Sequence, residues 1–166
     1  MFGRKKDKTV SSDASLKGNQ KDITKVILTT FDKAGWKYDY DADKSVVISG
    51  FMGDDLPIHF ALFIREASLH FLCNLDFIAE PDKFKDVCWA LNDINKRLAF
   101  GAFYLDSEDG KVTFEYGLPH LETNYSETMI AGLIKMIVDT VDKFDGDLQK
   151  IAVKKPTSGF NNPMFG

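Results

Sequence analysis

The sequence is short of several things, and each shortage excludes a class of protein. Two cysteines in 166 residues, Cys73 and Cys88, cannot build a disulfide framework. No apolar run approaches the roughly 18 to 20 residues that cross a bilayer, so no membrane span is expected. The N-terminus MFGRKKDKTVSSDASLKG starts basic but has no apolar core, so it does not read as a secretory signal. Without export, the two thiols read as reduced and the protein as cytoplasmic. No GxSxG, HExxH, P-loop or GxGxxG pattern is present, so no enzyme is expected, and no catalytic, metal-binding or cofactor-binding residue is assigned. Excess positive charge is missing too. Residues 19–153 carry 14 basic against 23 acidic side chains, a net charge of −9, which repels phosphate backbones and excludes nucleic acid as the main partner.

What is present is a single globular chain, 44% hydrophobic and 28% charged. Residues 1–18 lack apolar periodicity and read as a basic, solvated tail. Residues 154–166, KKPTSGFNNPMFG, read as a flexible tail with a possible docking peptide, GFNNPMFG. Between them, 19–153 reads as one domain. A helix is expected over Asn19–Ala34, with Ile23, Val26, Ile27, Phe31 and Ala34 on one stripe and Gly35 as its stop. A second runs from Pro81, at a first helical position, to about Ala99, with Phe84, Val87, Cys88, Leu91, Ile94 and Leu98 on its stripe. A third opens at the N-cap Ser126 and continues to about Ala152.

Strand patterns fill the gaps. Trp36–Tyr40 and Ser45–Met52 flank DADK, and Ile58–Ile64 and Leu69–Phe77 alternate around a turn near Ala67. Ala102–Leu105 and Lys111–Tyr116 flank DSEDG. The order is α-β-β-β-β-α-β-β-α. Short connections make antiparallel hairpins, so the class is α+β with the helices on one face of the sheet.

The acid-rich turns fail as calcium loops. From Asp106, glycine falls at position 5 rather than 6, and position 12 is Gly117. Asp39, Asp41 and Asp43 are spaced correctly, but Lys44 and Gly50 then stand at 6 and 12. Asp-Gly between alternating apolar runs is a hairpin turn. His59 and His70 alternate out of register with the apolar sets, His120 stands alone in a loop, and all three read as solvated. Cys73 and Cys88 sit on apolar faces and read as buried and inert.

Surface for partners remains. Trp89 lies about 140° around the second helix from Phe84, outside its stripe, where a Trp is a frequent interface anchor. Phe63 and Leu72 fall on the sheet face opposite the main apolar sets, as do Ala61 and Ile78; a sheet apolar on both faces usually has both covered, here by a second subunit. The third helix, about 40 Å long, exceeds the strands, so it bends near Gly146 or overhangs with Phe144, Leu148 and Ile151. Trp89, Phe63, Leu72, Phe144 and Leu148 are therefore the interface candidates, for a homodimer and for a protein partner. The alternative is a small-ligand or metal-dependent activity in a pocket between sheet and helices.

The stretch from Trp89 to Pro119, WALNDINKRLAFGAFYLDSEDGKVTFEYGLP, resembles the YbjN-like family of bacterial proteins, labelled sensory transduction regulators. The matching residues are Leu91, Asn92, Asn95, Leu98, Gly101, Phe103, Asp106, Asp109 and Gly110. Trp36-Lys37-Tyr38 resembles the family's first hairpin, and Ser126 to Phe144 its last helix. The resemblance implies a fold like the type III secretion chaperones, commonly dimeric, and work by holding partner proteins or modulating regulatory pathways. It supplies no catalytic residue. The basic N-terminus and GFNNPMFG are not family features, and LPHLETNY lacks the family's Gly-rich acidic pattern.

Overall fold

The computed structural model describes residues 10–120 and 123–153, with side chains from residue 22 onward. The expected tail 154–166 and the first nine residues of the expected N-terminal tail lie outside that range, as do Leu121 and Glu122. The described chain is an α+β protein: α1 (Val10–Ala34), β1 (Tyr38–Asp41), β2 (Val46–Met52), β3 (Pro57–Ile64), β4 (Ser68–Ile78), α2 (Phe84–Asn95), β5 (Ala102–Leu105), β6 (Lys111–Pro119) and α3 (Glu127–Ala152). All six strands form one antiparallel sheet in the order β1-β2-β3-β4-β6-β5. The element order is the one the sequence pattern predicts.

Period-2 alternation decides which side of the sheet is covered. Ile58, Phe60, Leu62 and Ile64 of β3, and Leu69, Phe71, Cys73, Leu75 and Phe77 of β4, point to the inner face and are buried. The helical stripes close over them: Ile23, Ile27 and Phe31 of α1, Val87, Leu91 and Ile94 of α2, and Ile130, Ile134, Ile137, Val141 and Leu148 of α3 join one continuous cluster. Aromatic rings cross it in edge and tilted contacts, from Trp36 through Phe51, Phe60 and Phe71 to Tyr116 and Phe100, with centroids 5.5–6.3 Å apart.

The helix ends follow local chemistry, with three departures from expectation. α1 begins at Val10, nine residues before Asn19, and Ala34, placed on its stripe, is exposed. Gly35 does stop it, in the left-handed region at φ 70°, while the Trp36 N–H reaches back to the Phe31 carbonyl at 3.0 Å. The expected 81–99 helix is a 3-10 turn at Pro81–Lys83 followed by a shorter α2; after Asn95 the backbone tightens, the Arg97 N–H reaching the Ile94 carbonyl at 2.9 Å. Ser126 caps α3, its Oγ accepting the Met129 N–H at 3.2 Å.

The far end of α3 does not overhang. Leu148 is 1% exposed and Ala152 is buried, and the Ala152 carbonyl accepts the Glu80 N–H at 2.9 Å. The segment after β4 rises to meet the helix, which removes the need for a partner there.

Candidate functional surface

The outer face of the sheet carries no helix. Register places Val46, Phe63, His70 and Gly117 in one row across β2, β3, β4 and β6. Ile48, Ala61, Leu72, Glu115 and Ala102 form the next, reaching β5. Phe63 and Leu72 are half-buried, whereas Ile48, Ile78 and Tyr104 are each at least half exposed and Met52 is almost fully exposed. Over this face lies a depression of about 560 Å³, lined by Phe63, Arg65, His70, Leu72, Ala102, Tyr104 and Glu115. Glycines flatten its floor: a Cβ at Gly117 would only touch the His70 ring, and Gly101, at φ 61°, backs directly onto the Phe114 ring.

Of its polar groups, Arg65 and His70 are locally engaged, whereas Glu115 stands in the row between Leu72 and Ala102. The Arg65 guanidinium lies over the Phe63 ring, 5.0 Å from the centroid. The His70 ring shares a hydrogen bond of 3.0 Å with the Ser68 hydroxyl. Further along the face, His59 pairs with Asp76 at 3.1 Å. The depression is thus a mixed apolar and charged surface, with the Ser68–His70 pair beside it. Among the described residues, no group of three or more His, Cys, Asp or Glu side chains is arranged to hold a metal ion. The space between sheet and helices, where a small-ligand pocket was the alternative, is occupied by the apolar cluster.

The five interface candidates do not converge. Phe63 and Leu72 share the depression. Trp89 is on the helical side, 67% exposed, beside Lys85, Cys88 and Asn92. Phe144 is half-buried, edge-on to Phe103 at 6.1 Å, with the Arg97 and Lys143 cations over its ring. Leu148 belongs to the core and presents nothing to a partner.

Two readings of single residues are corrected. Cys88 is exposed: α2 is rotated so that Val87, Leu91 and Ile94 face inward, which turns the edge of the stripe to solvent. His120 is buried at 3% exposure, its Nε2 2.8 Å from the Arg65 carbonyl, because the end of β6 returns over the β3–β4 turn. Cys73 is buried as expected, and desolvation pushes its thiol up to about 12.

The two aspartates of the acidic turn DSEDG bind its own backbone. Asp106 Oδ1 accepts the Glu108 N–H at 2.8 Å and Asp109 Oδ1 the Lys111 N–H at 3.0 Å. The hydrogen bond from the Lys111 ammonium, with other contacts to that residue, lowers the Asp109 carboxyl below its ordinary range. Gly110 adopts φ 74°, and the Ala79 carbonyl occupies the space a side chain would need, so this turn is fixed by glycine twice over.

Comparison with known proteins decides the family. Residues 24–150 match the family model YbjN, described as "Putative bacterial sensory transduction regulator". The chain belongs to the YbjN family. The fold agrees: the crystal structure of YbjN from E. coli, described as "a putative transcription regulator", superposes with a TM-score of 0.60 at 10% identity, covering 75% of this chain and 90% of that one. An uncharacterized protein from Methanothermobacter thermautotrophicus superposes with a TM-score of 0.54 at 11% identity, covering 78% of this chain and 99% of that one. No curated protein matches the sequence significantly. Among the described residues no helix of this YbjN-family protein is long and apolar enough to cross a membrane.

Proposed function

We propose that this YbjN-family chain is a cytoplasmic, non-enzymatic regulatory module that binds another protein, and that two copies pair through the outer face of the sheet. The supporting observation is the depression around Phe63 and Leu72, open on a face that all three helices leave bare. A half-apolar sheet face in water is stabilised by being covered. Half-buried Phe63, Leu72 and exposed Tyr104 supply apolar area, while Arg65 and Glu115 supply opposite charges that a symmetric copy can meet. The exposed Trp89 on the helical side then anchors the regulatory partner, which leaves the sheet free for self-association.

Sedimentation velocity at micromolar concentration tests the pairing. The wild type should sediment as a dimer, and Phe63→Asp with Leu72→Lys should give a folded monomer. A wild-type monomer, or a dimer untouched by both changes, overturns it. Trp89→Ala should lower capture of the partner from a host lysate without changing the dimer.

A further inference from the structure

Among the described residues, Asp145 Oδ2 is the buried side-chain oxygen left without a hydrogen-bond partner. Asp145 lies inside α3, 1% exposed, on the stripe between Val141 and Leu148. Its other oxygen accepts the N–H of Gly146 at 2.6 Å. A buried carboxylate with one oxygen unpaired is costly and calls for a physical account.

The surroundings sharpen the anomaly. The loop between β2 and β3, residues 53–56, interlocks with α3 through two glycines. A Cβ at Gly53 would collide with the Asp142 carboxylate, and a Cβ at Gly146 would collide with the Asp55 carboxylate. The loop's Asp54 N–H donates to Asp142 Oδ1 at 2.6 Å, and Gly53 N–H to the Leu56 carbonyl at 3.1 Å. Helix and loop thus each lay a carboxylate on the other's backbone. Asp145 feels both charges, Asp142 from its own helix and Asp55 from the loop, and burial with those two anions raises its carboxyl to about 6. The cation on this side, Lys150, is exposed, held by Asp147 at 2.9 Å and also attracted by Asp55, so it offsets part of the loop's charge while leaving the buried Asp145 oxygen unpaired.

We propose that a proton on Asp145 latches the β2–β3 loop onto α3, and that loss of this proton loosens the loop. Carboxylates sharing a site cannot all ionise without mutual repulsion. Protonation removes the charge from the buried, unpaired oxygen and with it the repulsion from Asp142 and Asp55. A proton fits where a metal ion does not: the oxygen is closed to solvent and no three-ligand group is assembled there. The loop closes the β2–β3 hairpin at Met52 and Pro57. Its docking therefore sets how the exposed Met52 end of the outer face is presented, making that surface pH-sensitive.

Carbon-detected NMR titration of the Asp145 carboxyl in the full chain, with amide exchange of Gly53 and Asp54 corrected for intrinsic rates, tests this. Asp145 should titrate between pH 5 and 7, and protection of the Asp54 amide should fall about tenfold from pH 5 to 7.5, the factor expected for coupling of one pKa unit. Asp145→Asn should keep the protection at both pH values. If that variant does not fold, Asp55→Asn serves instead and should lower the Asp145 midpoint. An Asp145 ionised throughout pH 5–8, a loop whose protection ignores the titration, or an Asp145→Asn loop with the wild-type pH response overturns the latch.

Discussion

Asn95 and Phe103 are joined by two hydrogen bonds running in opposite directions. The Asn95 amide donates to the Phe103 carbonyl at 2.9 Å, and the Phe103 N–H donates to Asn95 Oδ1 at 2.8 Å. One side chain thereby satisfies both backbone groups of a residue on β5, the strand at the edge of the sheet. An edge strand exposes unpaired groups that invite misassociation, and here a helix supplies the missing pairing.

Removing this clamp should be costly. Asn95→Ala deletes both bonds and strands partly buried backbone groups, so we expect a loss of about 2 kcal/mol in urea unfolding. Asn95→Asp keeps the acceptor but sets a carboxylate oxygen against the Phe103 carbonyl, so at neutral pH its loss should be at least that of alanine and should shrink at low pH, where the acid can donate.

Gly146 offers a test of the loop–helix interlock that does not depend on pH. An added Cβ meets the Asp55 carboxylate and its own Cβ. Alanine favours a helix by up to about 1 kcal/mol over glycine, yet Gly146→Ala should be net destabilising by about 1 kcal/mol or more because overpacking outweighs it. Shortening the opposing side chain with Asp55→Ala should restore part of the loss, since the residue-55 Cβ at 2.9 Å remains, and the double-mutant cycle reads the coupling.

Stability should depend on pH through Asp145 with a definite sign. Its folded carboxyl is raised to about 6 from an ordinary value of 3.8, so the native state binds the extra proton between those values. The contribution is full below about pH 4 and lost as pH rises towards 6. Wild-type stability from this group should drop by up to about 3 kcal/mol across that window, and Asp145→Asn should flatten the curve. The exposed Asp41, Asp93 and Asp109 have lowered carboxyl values, so their opposite slopes lie below the window.

The two thiols should separate cleanly in a labelling experiment. Exposed Cys88 should react at once with a disulfide reagent, giving one equivalent per native chain. Buried Cys73, its thiol pushed up to about 12, should react only on unfolding. Two fast equivalents would mean that β4 is open at its centre.

Much of the fold was legible because it is local. The alternation of Ile58, Phe60, Leu62 and Ile64, the Gly35 stop, the Ser126 cap and the Asp-Gly turn each act within a few residues, and the described chain obeys them. Residues at the margin of a stripe were less legible: a small rotation of α2 exposes Cys88. Asp145 left a trace in the pattern, an acid on an otherwise apolar stripe. That trace could not name its neighbours, since they belong to a distant loop, whose bond from Asp54 to Asp142 spans 88 residues of sequence.

The sequence alone determined the α+β class, the element order and the inward sets of β3 and β4, because side-chain period is built into backbone geometry. Tertiary structure decided the rest. It placed Phe63 and Leu72 over one bare depression, buried Leu148 and His120, clamped β5 with Asn95, and brought Asp55, Asp142 and Asp145 together. Those outcomes depend on register and on the packing of distant elements, which no local window of residues contains.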